Sequence, residues 1–404
     1  MSDLPLSGVR ITDLTHYWSG PHAMRILGDL GADVIKIEFA RRMCVLRGAF
    51  TKDKVYDRHP RWHQANRNKR SMTLDLKDPR QRGILDDLVR ISDVVAENSR
   101  GGVMKALGAG YEDFKRIKPD IIMLSMPAYG STGPWSTYAG VGGALEPTCG
   151  LQALTAYDKN DKRRRIKEAD VTSGIMGACA VLTALYHRKR TGGGQWIDMS
   201  QLEILSHSLF GEHLLEFMMN GTQTLPLGNR HANYAPQGCY RCKGEDNWIV
   251  LTIRSDAEWQ ALCDVLRRPE MKNDTRFRTR ESRRKNHDEI DKLIEAWTSG
   301  RDKREVMHVL QERGIAAGAV ADLAEVADDA HLRARGYFQE ARDGTPGLYP
   351  GVPISASGWD IRVRRRGPDL GGDNARVVTE LLGRPVEDAP VLNENDVGTA
   401  FDNE

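Results

Sequence analysis

The first 130 residues alternate short apolar runs with helical patterns, and this alternation constrains the fold more than any other feature of the chain. Such an order of elements is typical of βαβ units built into a parallel sheet. It predicts strands over 8–14, 31–38, 71–76, 93–98 and 120–127, and helices over 21–30, 78–91 and 111–117. Because ligands gather at the carboxyl ends of the strands in open α/β sheets, we expect the ligand site there.

The chain changes character near residue 224. Before it, residues 170–190 predict one long helix rich in small side chains, followed by a strand over 196–200 and a helix over 201–219. After it, a loop rich in Gly, Pro and Asn leads into short strands and then into polar helices near 256–267, 284–299 and 302–313. We interpret this later part as a smaller α+β domain.

The composition restricts the class of protein. Lys and Arg total 58 and Asp and Glu total 56, so the net charge of +2 argues against a protein that coats nucleic acid. The mean hydropathy is −0.51, and the longest nearly apolar run, Gly174–Tyr186, is too short to span a bilayer. The N-terminal residues lack the pattern of a secretory signal, so we expect a cytoplasmic protein without a membrane partner.

The six cysteines are too few for a disulfide framework. Cys239 and Cys242 form a CxxC pair, but a structural zinc site needs a second pair of ligands at similar spacing. Neither Cys263 nor His231 supplies one. We therefore expect no metal and interpret both thiols as packing residues of a hairpin.

One segment is strongly basic. Residues 41–70 hold ten Lys and Arg side chains against Asp53 and Asp57 alone. A solvated loop is the ordinary explanation of such a run. Because this one connects two predicted strands, it also suits a polyanionic ligand such as a nucleotide phosphate, and Trp18, Tyr56 and Trp62 would either stack on a base or belong to the core. The chain has no GxGxxG or GxxxxGK[ST] motif, so we expect neither nicotinamide nor flavin.

Asp170 stands at the mouth of the long predicted helix. Aspartate is a preferred N-cap residue, which gives it a structural explanation. The same position would also keep a carboxylate ionised near the positive end of the helix, as a carboxylate nucleophile requires. The residues themselves leave both explanations open.

A resemblance to a known family runs through most of the chain, in order. It is carried by PLSGVRITDLTHYWSGPHAMRILGDLGADVIKIE, NRNKRSMTLDLKDP, DVVAENSRGGVMKALG, YGSTGPW (129–135), RKRTGGGQWIDMSQLE (188–203) and GNRH (228–231). These segments resemble the class III CoA-transferase family, the formyl-CoA and carnitine CoA-transferase type, which also contains the α-methylacyl-CoA racemases.

The resemblance implies a large Rossmann-like domain from both chain ends, residues 1–222 and 331–404, and a smaller domain over 223–330. It also implies that two subunits interlock as linked rings, either as a homodimer or with a homologous subunit. Coenzyme A, or its acyl thioester, would be the bound nucleotide and explain the basic segment. The family's nucleophilic aspartate precedes the small-residue helix, and here that residue is Asp170.

The resemblance also implies which side chains contact the substrates. Those expected to bind CoA are Trp18, Ser19, Arg42, Asn68, Lys69, Arg70, Asn98, Ser99, Arg100 and Lys105. Those expected at the acyl pocket or in a lid are Val141, Gly142, Glu146, Gly228, Asn229 and His231. We expect the lid loop to cover residues 225–238.

The chain departs from the family pattern at three places. Phe39 and Ala106 stand where relatives often carry arginine, so Arg41, Arg42 or Lys105 would have to substitute. The Gly-His-Asp element of the racemases is replaced by Gly140, Val141 and Gly142, and a racemase needs that histidine as a base.

We therefore expect a CoA-transferase that moves CoA from an acyl-CoA, such as succinyl-CoA, to an aromatic or dicarboxylic acid. The reaction would pass through aspartyl anhydride and aspartyl-CoA thioester intermediates. A racemase or epimerase on the same fold, and a CoA-binding subunit of a heteromeric transferase, are the alternatives.

Overall fold

The computed structural model describes residues 4–161, 165–208 and 211–399 of the 404-residue chain. The chain forms two compact units. The first consists of Met1–Gln152, Arg165–Gln223 and Leu332–Glu404, and the second of Ala153–Arg164 and Thr224–His331. The segment that begins at Ala153 therefore groups with the second unit, whereas the sequence prediction assigned it to the large domain.

The first unit is built on six parallel strands, which confirms the predicted α/β class. The strands are β1 (Arg10–Asp13), β2 (Asp33–Glu38), β3 (Lys69–Thr73), β4 (Val94–Glu97), β5 (Ile122–Ser125) and β6 (Trp196–Asp198). Their order in the sheet is β3-β2-β1-β4-β5-β6. The chain passes from β1 to one side and returns as β4 on the other, so the loops after these two strands diverge and leave a crevice.

Ten helices accompany this sheet along the described part of the chain. They are α1 (Ser19–Asp29), α2 (Pro60–Asn66), α3 (Pro79–Ile91), α4 (Val103–Ala106), α5 (Tyr111–Ile117), α6 (Gly142–Thr148), α7 (Leu151–Leu154), α8 (Ala169–Thr191), α9 (Gln201–Ser208) and α10 (Gly211–Asn220). The predicted helix over 201–219 corresponds to α9 and α10.

The strands bury both faces, as expected for a parallel sheet covered by helices. Alternating residues of β2 show this: Ile35 belongs to the apolar cluster that includes α3, whereas Val34 belongs to the cluster that includes α1 and α8. Strand β3 begins two residues earlier than predicted. The prediction used apolar residues to place the strand and therefore left out the charged residues Lys69 and Arg70. Lys69 is paired with Asp13 at the end of β1, and Arg70 is paired with Asp33 at the start of β2.

Helix α8 crosses α1 at two glycines. A Cβ on Gly174 would lie 2.5 Å from Cδ2 of His22 and 2.9 Å from the carbonyl oxygen of Ser19. A Cβ on Gly177 would lie 2.9 Å from the sulfur of Met126. Backbone blocks a side chain at Gly174, so only hydrogen fits there, and this glycine lets the first turn of α8 approach the start of α1.

Helix α8 is also long and apolar enough to cross a membrane by length and composition, with a mean hydropathy of 1.4 over its most apolar window. Its inner face carries Ala178, Val181 and Ala184, which pack against α1 and the sheet. Its outer face exposes apolar side chains, including Ile175 and Tyr186. These contacts are those of a core helix that has one side exposed.

The second unit contains an antiparallel sheet of β7 (Gln237–Arg241), β8 (Trp248–Thr252) and β9 (Ala316–Ala319), as the α+β prediction requires. Its helices are α11 (Asp256–Val265), α12 (Arg280–Lys285), α13 (His287–Thr298), α14 (Lys303–Gln311) and α15 (Leu323–Ala327). Cys242 and Cys263 are buried in the core beneath this sheet.

The last part of the chain returns to the first unit after α16 (Ala330–Ala334). It forms a hairpin of β10 (Phe338–Glu340) and β11 (Leu348–Pro350) and then α17 (Asn374–Arg376), which continues as a π-helical turn over Val377–Leu381. Asn374 accepts a hydrogen bond from the backbone of Thr73 in β3 at 2.9 Å. This contact fixes the C-terminal segment to the edge strand of the sheet.

Candidate active site

A buried charge network holds the turn that follows β1. Asp13, the last residue of β1, accepts hydrogen bonds from the backbone N–H and the hydroxyl of Thr15 at 2.9 and 2.6 Å. Lys69 donates to the same carboxylate at 2.9 Å. Lys36 donates to the carbonyl oxygen of Thr15. Burial alone would raise the pKa of Asp13, but the charges of Lys36 and Lys69 lower it, so Asp13 stays ionised and anchors the turn.

Asn98, which follows β4, joins this turn to the next loop across the crevice. Its Oδ1 accepts the backbone N–H of His16 at 2.6 Å, and its Nδ2 donates to the carbonyl oxygen of His16 at 2.6 Å. Between His16 and Trp18, Tyr17 has a φ of +61°, a region that side chains other than glycine rarely adopt. The bend at Tyr17 directs the chain so that Ser19 begins α1.

Asp170 is the second residue of α8. The N-cap position belongs to Glu168, whose side chain makes no capping hydrogen bond. The carboxyl group of Asp170 instead lies close enough to the backbone N–H of Ser19, at the start of α1, for that N–H to lower its pKa. The cap explanation that the sequence left open therefore does not describe Asp170, whose carboxyl faces the turn after β1.

Gly142, the first residue of α6, lies against the same carboxyl. A Cβ on Gly142 would come within 2.7 Å of Oδ2 of Asp170. The neighbouring Gly143 has more room, because its Cβ would meet only the guanidinium end of Arg165 at 3.1 Å. Gly142 is thus required for the space beside Asp170.

Glu146 positions the segment that leads into α8. It is fully buried, and it accepts hydrogen bonds from the backbone N–H groups of Ile166 at 3.3 Å and Glu168 at 3.0 Å. Its carboxylate also lies 3.6 Å from Nε of Arg165. Sequence reasoning placed Glu146 at the acyl pocket, and the structure gives it the role of holding the backbone just before Asp170.

Burial raises the pKa of the Asp170 carboxyl above its ordinary value. The Arg165 guanidinium and the Ser19 N–H oppose this rise, and the Glu146 carboxylate adds to it. A partly buried carboxylate with few hydrogen bonds is more nucleophilic than one in water, since less solvation must be removed when it attacks. The arrangement can therefore support nucleophilic chemistry at Asp170.

Several residues predicted to bind CoA lie around this turn. Trp18 and Arg42 are exposed, Ser19 is buried at the start of α1, and Asn98 and Ser99 follow β4. Arg42 is near enough to His16 for its charge to lower the pKa of that histidine, which burial brings to about 4. Arg100 and Lys105 are exposed on the loop after β4 and on α4. These placements are compatible with a site along the carboxyl edge of the sheet.

Asn68, Lys69 and Arg70 occupy different positions. The Lys69 ammonium is buried, and it donates to Asp13, to the carbonyl of Pro21 and to Asn66, so all its donors have internal acceptors. Burial lowers the pKa of Lys69 to about 8. Asn68 and Arg70 lie where β3 begins, at the amino edge of the sheet, and bind Asp29 and Asp33. We therefore give Lys69 a structural role and place Arg70 away from Asp170.

The basic segment is partly structural as well. Arg47 is buried in ion pairs with Glu38 and Asp57, and its guanidinium lies 3.5 Å from the ring centre of Trp62. Trp62 and Tyr56 are core residues. Further along, an open cavity of about 560 Å³ is lined by Thr51, Lys52, Asp53, Lys54, Tyr56 and Asn395. Of the three aromatic residues considered for stacking, Trp18 alone is exposed.

Gly228, Asn229 and His231 belong to the second unit and are exposed. Arg230 anchors their loop to α13 through ion pairs with Asp288 and Asp291, the latter at 2.9 Å. His231 stacks on Tyr234 with 4.5 Å between ring centres. The idea that this loop covers Asp170 as a lid stays a prediction.

Sequence reasoning missed Arg165, Gly174 and Lys36. The charge of Lys36 within an apolar strand was a signal that could have been used, because a buried lysine needs a buried carboxylate. Gly174 was noted only as a small residue of the long helix. Among residues 4–161, 165–208 and 211–399, the structure shows no group of three or more His, Cys, Asp or Glu side chains able to hold a metal ion.

Residues 6–374 match the family model described as CoA-transferase family III. A succinate–glutarate CoA-transferase of Agrobacterium fabrum is 31% identical over 387 residues, covering 93% of this chain and 96% of that protein. A succinyl-CoA–D-citramalate CoA-transferase of Chloroflexus aurantiacus is 30% identical over 395 residues, covering 96% of each. An acetyl-CoA:oxalate CoA-transferase of Acetobacter aceti is 32% identical over 386 residues, covering 93% and 96%.

A solved structure shows the same fold. The crystal structure of a CaiB/BaiF family protein from Brucella suis superposes with a TM-score of 0.83 at 30% sequence identity. The match covers 94% of this chain and 100% of that one.

Proposed function

The chain belongs to CoA-transferase family III, and we propose that Asp170 is the nucleophile through which it carries CoA from an acyl-CoA to a carboxylic acid. One observation supports this most: the Asp170 carboxyl lies at the first turn of α8, against the Ser19 N–H and beside Gly142. Glu146, the other carboxylate predicted near this site, is fully buried, whereas Asp170 is only partly buried.

The reaction consists of four acyl transfers. A carboxylate oxygen of Asp170 attacks the thioester carbonyl of the donor and releases CoA thiolate, which leaves an anhydride between donor and Asp170. The thiolate attacks the aspartyl carbonyl, giving an aspartyl-CoA thioester and the free donor acid. A carboxylate oxygen of the acceptor attacks this thioester, which forms a second anhydride and releases CoA thiolate. The thiolate then attacks the acceptor carbonyl, which yields the new acyl-CoA and regenerates Asp170.

The surrounding residues support these steps in different ways. The Ser19 N–H is a donor close to the Asp170 carboxyl, where negative charge appears in the second and third steps, in which the aspartyl carbonyl is attacked. Gly142 leaves room for the acyl group beside Oδ2. Asp13, Lys36 and Asn98 fix the turn that carries Ser19. Glu146 holds the backbone before α8, so both partners of the Ser19–Asp170 contact are positioned in advance.

We propose succinyl-CoA as donor and a short dicarboxylic acid as acceptor. Two of the relatives are named for succinate or succinyl-CoA, together with glutarate or D-citramalate. Arg165 supports the choice, because it is near Asp170, about half of its side chain is exposed, and Glu146 at 3.6 Å is a distant partner. A guanidinium in that position can bind the second carboxylate of a dicarboxylic acid.

We propose that CoA lies along the carboxyl edge of the sheet and that Arg42, Arg100 and Lys105 receive its phosphates. Arg42 has no carboxylate partner among the described residues, and its charge reaches the turn that carries Ser19. In this arrangement the thioester of CoA lies at Asp170, and its nucleotide end lies further out along the same edge. The family assignment makes a CoA thioester a substrate.

We propose that two chains interlock, either two copies or this chain and a homologous one. The outer face of α8 and the face of α10 expose Ile175, Tyr186, Leu214, Leu215, Phe217, Met218 and Met219. An apolar surface of this extent on a protein of net charge +2 favours burial in a subunit interface. A relative from Chloroflexus aurantiacus is named as an alpha subunit, which keeps a heteromeric assembly open. Light scattering on the purified chain will distinguish a dimer from a monomer.

The test of the nucleophile is chemical trapping. The protein is incubated with succinyl-CoA alone and then treated with hydroxylamine, which converts an aspartyl anhydride or thioester into an aspartyl hydroxamate. We expect the peptide that contains Asp170 to carry the hydroxamate, and Asp170→Asn to carry none. Glu168→Gln, which alters the neighbouring acidic residue at the same helix end, should be labelled like the wild type. A hydroxamate on another residue, or none in an active preparation, would refute the proposal.

A further inference from the structure

A second basic cavity lies at the opposite edge of the sheet from Asp170. It is open, has a volume of about 440 Å³, and is lined by eleven residues, of which six are charged: Arg10, Asp33, Arg70, Arg364, Arg365 and Arg376. Arg10 and Asp33 are the first residues of β1 and β2, and Arg70 is the second residue of β3. Asp13, which anchors the catalytic turn, ends β1 about 10 Å further along at about 3.3 Å per residue. The cavity is therefore distinct from the CoA-transferase site.

The carboxylates in and around this cavity do not balance its arginines. Asp33 alone serves two of them, with Nε of Arg10 at 3.1 Å and Nε of Arg70 at 2.8 Å. Arg365 has Asp373 at 3.8 Å, and Arg376 has Glu380 at 3.4 Å. Five guanidinium groups thus face three carboxylates.

The fifth arginine, Arg364, makes no ion pair among the described residues. It donates to the carbonyl oxygens of Gly28 and Asp29, and its nearest carboxylate, that of Asp29, already binds Arg25 and Arg67. Asp93, which binds the backbone N–H of Arg10, is paired with Arg188. Two positive charges therefore remain without a counter-charge at this cavity.

The arginines are also close enough to repel one another. Burial lowers the pKa of Arg365, and the charges of Arg70 and Arg364 lower it further, although Asp373 and Asp33 oppose them. The backbone that carries Arg364 and Arg365 is held in place by Asn68, whose side-chain oxygen accepts their backbone N–H groups at 2.8 and 3.2 Å. About a quarter to a third of the side chains of Arg10, Arg70 and Arg365 is exposed, so their guanidinium groups reach the cavity.

We propose that this cavity binds a phosphate group, either as inorganic phosphate or as the phosphate monoester of a small molecule. A phosphate monoester carries a charge of about −1.5 to −2 at pH 7, which matches the uncompensated charge of the cavity. Guanidinium groups bind phosphate oxygens through paired hydrogen bonds, and several converge here on one space. Binding would relieve the repulsion among Arg70, Arg364 and Arg365.

The test is calorimetric titration of the full-length protein with sodium phosphate against sodium chloride at equal ionic strength. We expect saturable binding of phosphate, weakened at least tenfold in the Arg70→Gln/Arg365→Gln double variant. Arg116→Gln, which removes an exposed and paired arginine of α5, should bind as the wild type does. Asp33→Asn removes the carboxylate that competes with the ligand, and it should bind phosphate severalfold more tightly. Because a misfolded protein would not bind phosphate more tightly, a gain of affinity in Asp33→Asn separates loss of the site from loss of folding.

Two further titrations identify the source of the phosphate and locate its binding site. Tighter binding of glucose 6-phosphate than of inorganic phosphate would indicate a phosphorylated metabolite, and the reverse would indicate free phosphate. Arg42→Gln should leave phosphate binding intact, since Arg42 lies at the other edge. The proposal is overturned if phosphate binds no better than chloride, or if Arg42→Gln abolishes binding while the double variant retains it.

Discussion

The carboxyl of Asp170 faces the backbone N–H of Ser19, which lowers the pKa of that carboxyl, although 151 positions separate the two residues in the sequence. Each residue lies in the first turn of a helix, and the two helices are kept close by Gly174, which packs against the Ser19 carbonyl. The contact joins the turn after β1 to the start of α8.

Gly174→Ala should separate the two helices and misplace Asp170. The new Cβ would lie 2.5 Å from Cδ2 of His22 and 2.9 Å from the Ser19 carbonyl, so the backbone must move. We expect kcat to fall at least tenfold and the free energy of unfolding to fall by about 1–3 kcal/mol. Gly83→Ala in α3 is the matched control, because the nearest atom to its Cβ is 3.8 Å away. Denaturant titration and transferase assays should show that this variant is active and no less stable.

Gly142→Ala should remove transferase activity with little loss of stability. Its Cβ would lie 2.7 Å from Oδ2 of Asp170, where the attacking oxygen needs free space. Gly143→Ala meets only the flexible end of Arg165 and should retain most activity. Steady-state assays measure the transferase activity of both variants. Equal activities would show that the reaction does not use the space beside Oδ2.

The acid limb of the pH profile should report Asp170. Its pKa is raised, so on acidification it takes up a proton, and loses nucleophilicity, at a higher pH than an ordinary aspartate does. The Arg165 charge lowers this pKa, and Arg165→Gln should therefore move the acid limb of kcat to higher pH. Because the Arg165 side chain is about half exposed, we expect a modest movement. An acid limb that moves to lower pH would contradict the assigned contact.

Arg42→Gln should raise the KM for succinyl-CoA severalfold and leave kcat nearly unchanged. The reason is that Arg42 has no carboxylate partner among the described residues and is expected to contact phosphate rather than the reacting carbonyl. Arg116→Gln, which removes a similarly exposed arginine far along the chain, serves as the control. If the KM values of the two variants are equal, Arg42 does not contact CoA.

The fold follows from the sequence to a large extent, because the apolar strands of a parallel sheet form continuous runs. Residues 31–38, for example, contain β2 in full. The start of β3 was misjudged because Lys69 and Arg70 are charged, and their neutralisation by Asp13 and Asp33 depends on strands far away in the sequence. Charges that are paired only in the folded sheet leave no local pattern.

The site was predicted less evenly than the fold. The prediction of Asp170 as the nucleophile rests on the family motif, whereas its contact with Ser19 depends on the crossing of α1 and α8. Glu146 was predicted to lie at the acyl pocket or in a lid, whereas its hydrogen bonds to Ile166 and Glu168 become visible only in the structure. A carboxylate that binds backbone N–H groups twenty residues away cannot be told from a pocket residue by its spacing.

Oxygen-18 transfer into the protein tests the central claim most directly. In the proposed reaction the acceptor's carboxylate oxygen becomes the bridge of the second anhydride and remains on Asp170 when the thiolate attacks the acceptor carbonyl. A single turnover with oxygen-18-labelled acceptor acid should therefore place one labelled oxygen in the peptide that contains Asp170, as measured by mass spectrometry. A full turnover that leaves this peptide unlabelled would show that the acceptor attacks the donor thioester directly, and would contradict the assignment of Asp170 as the nucleophile.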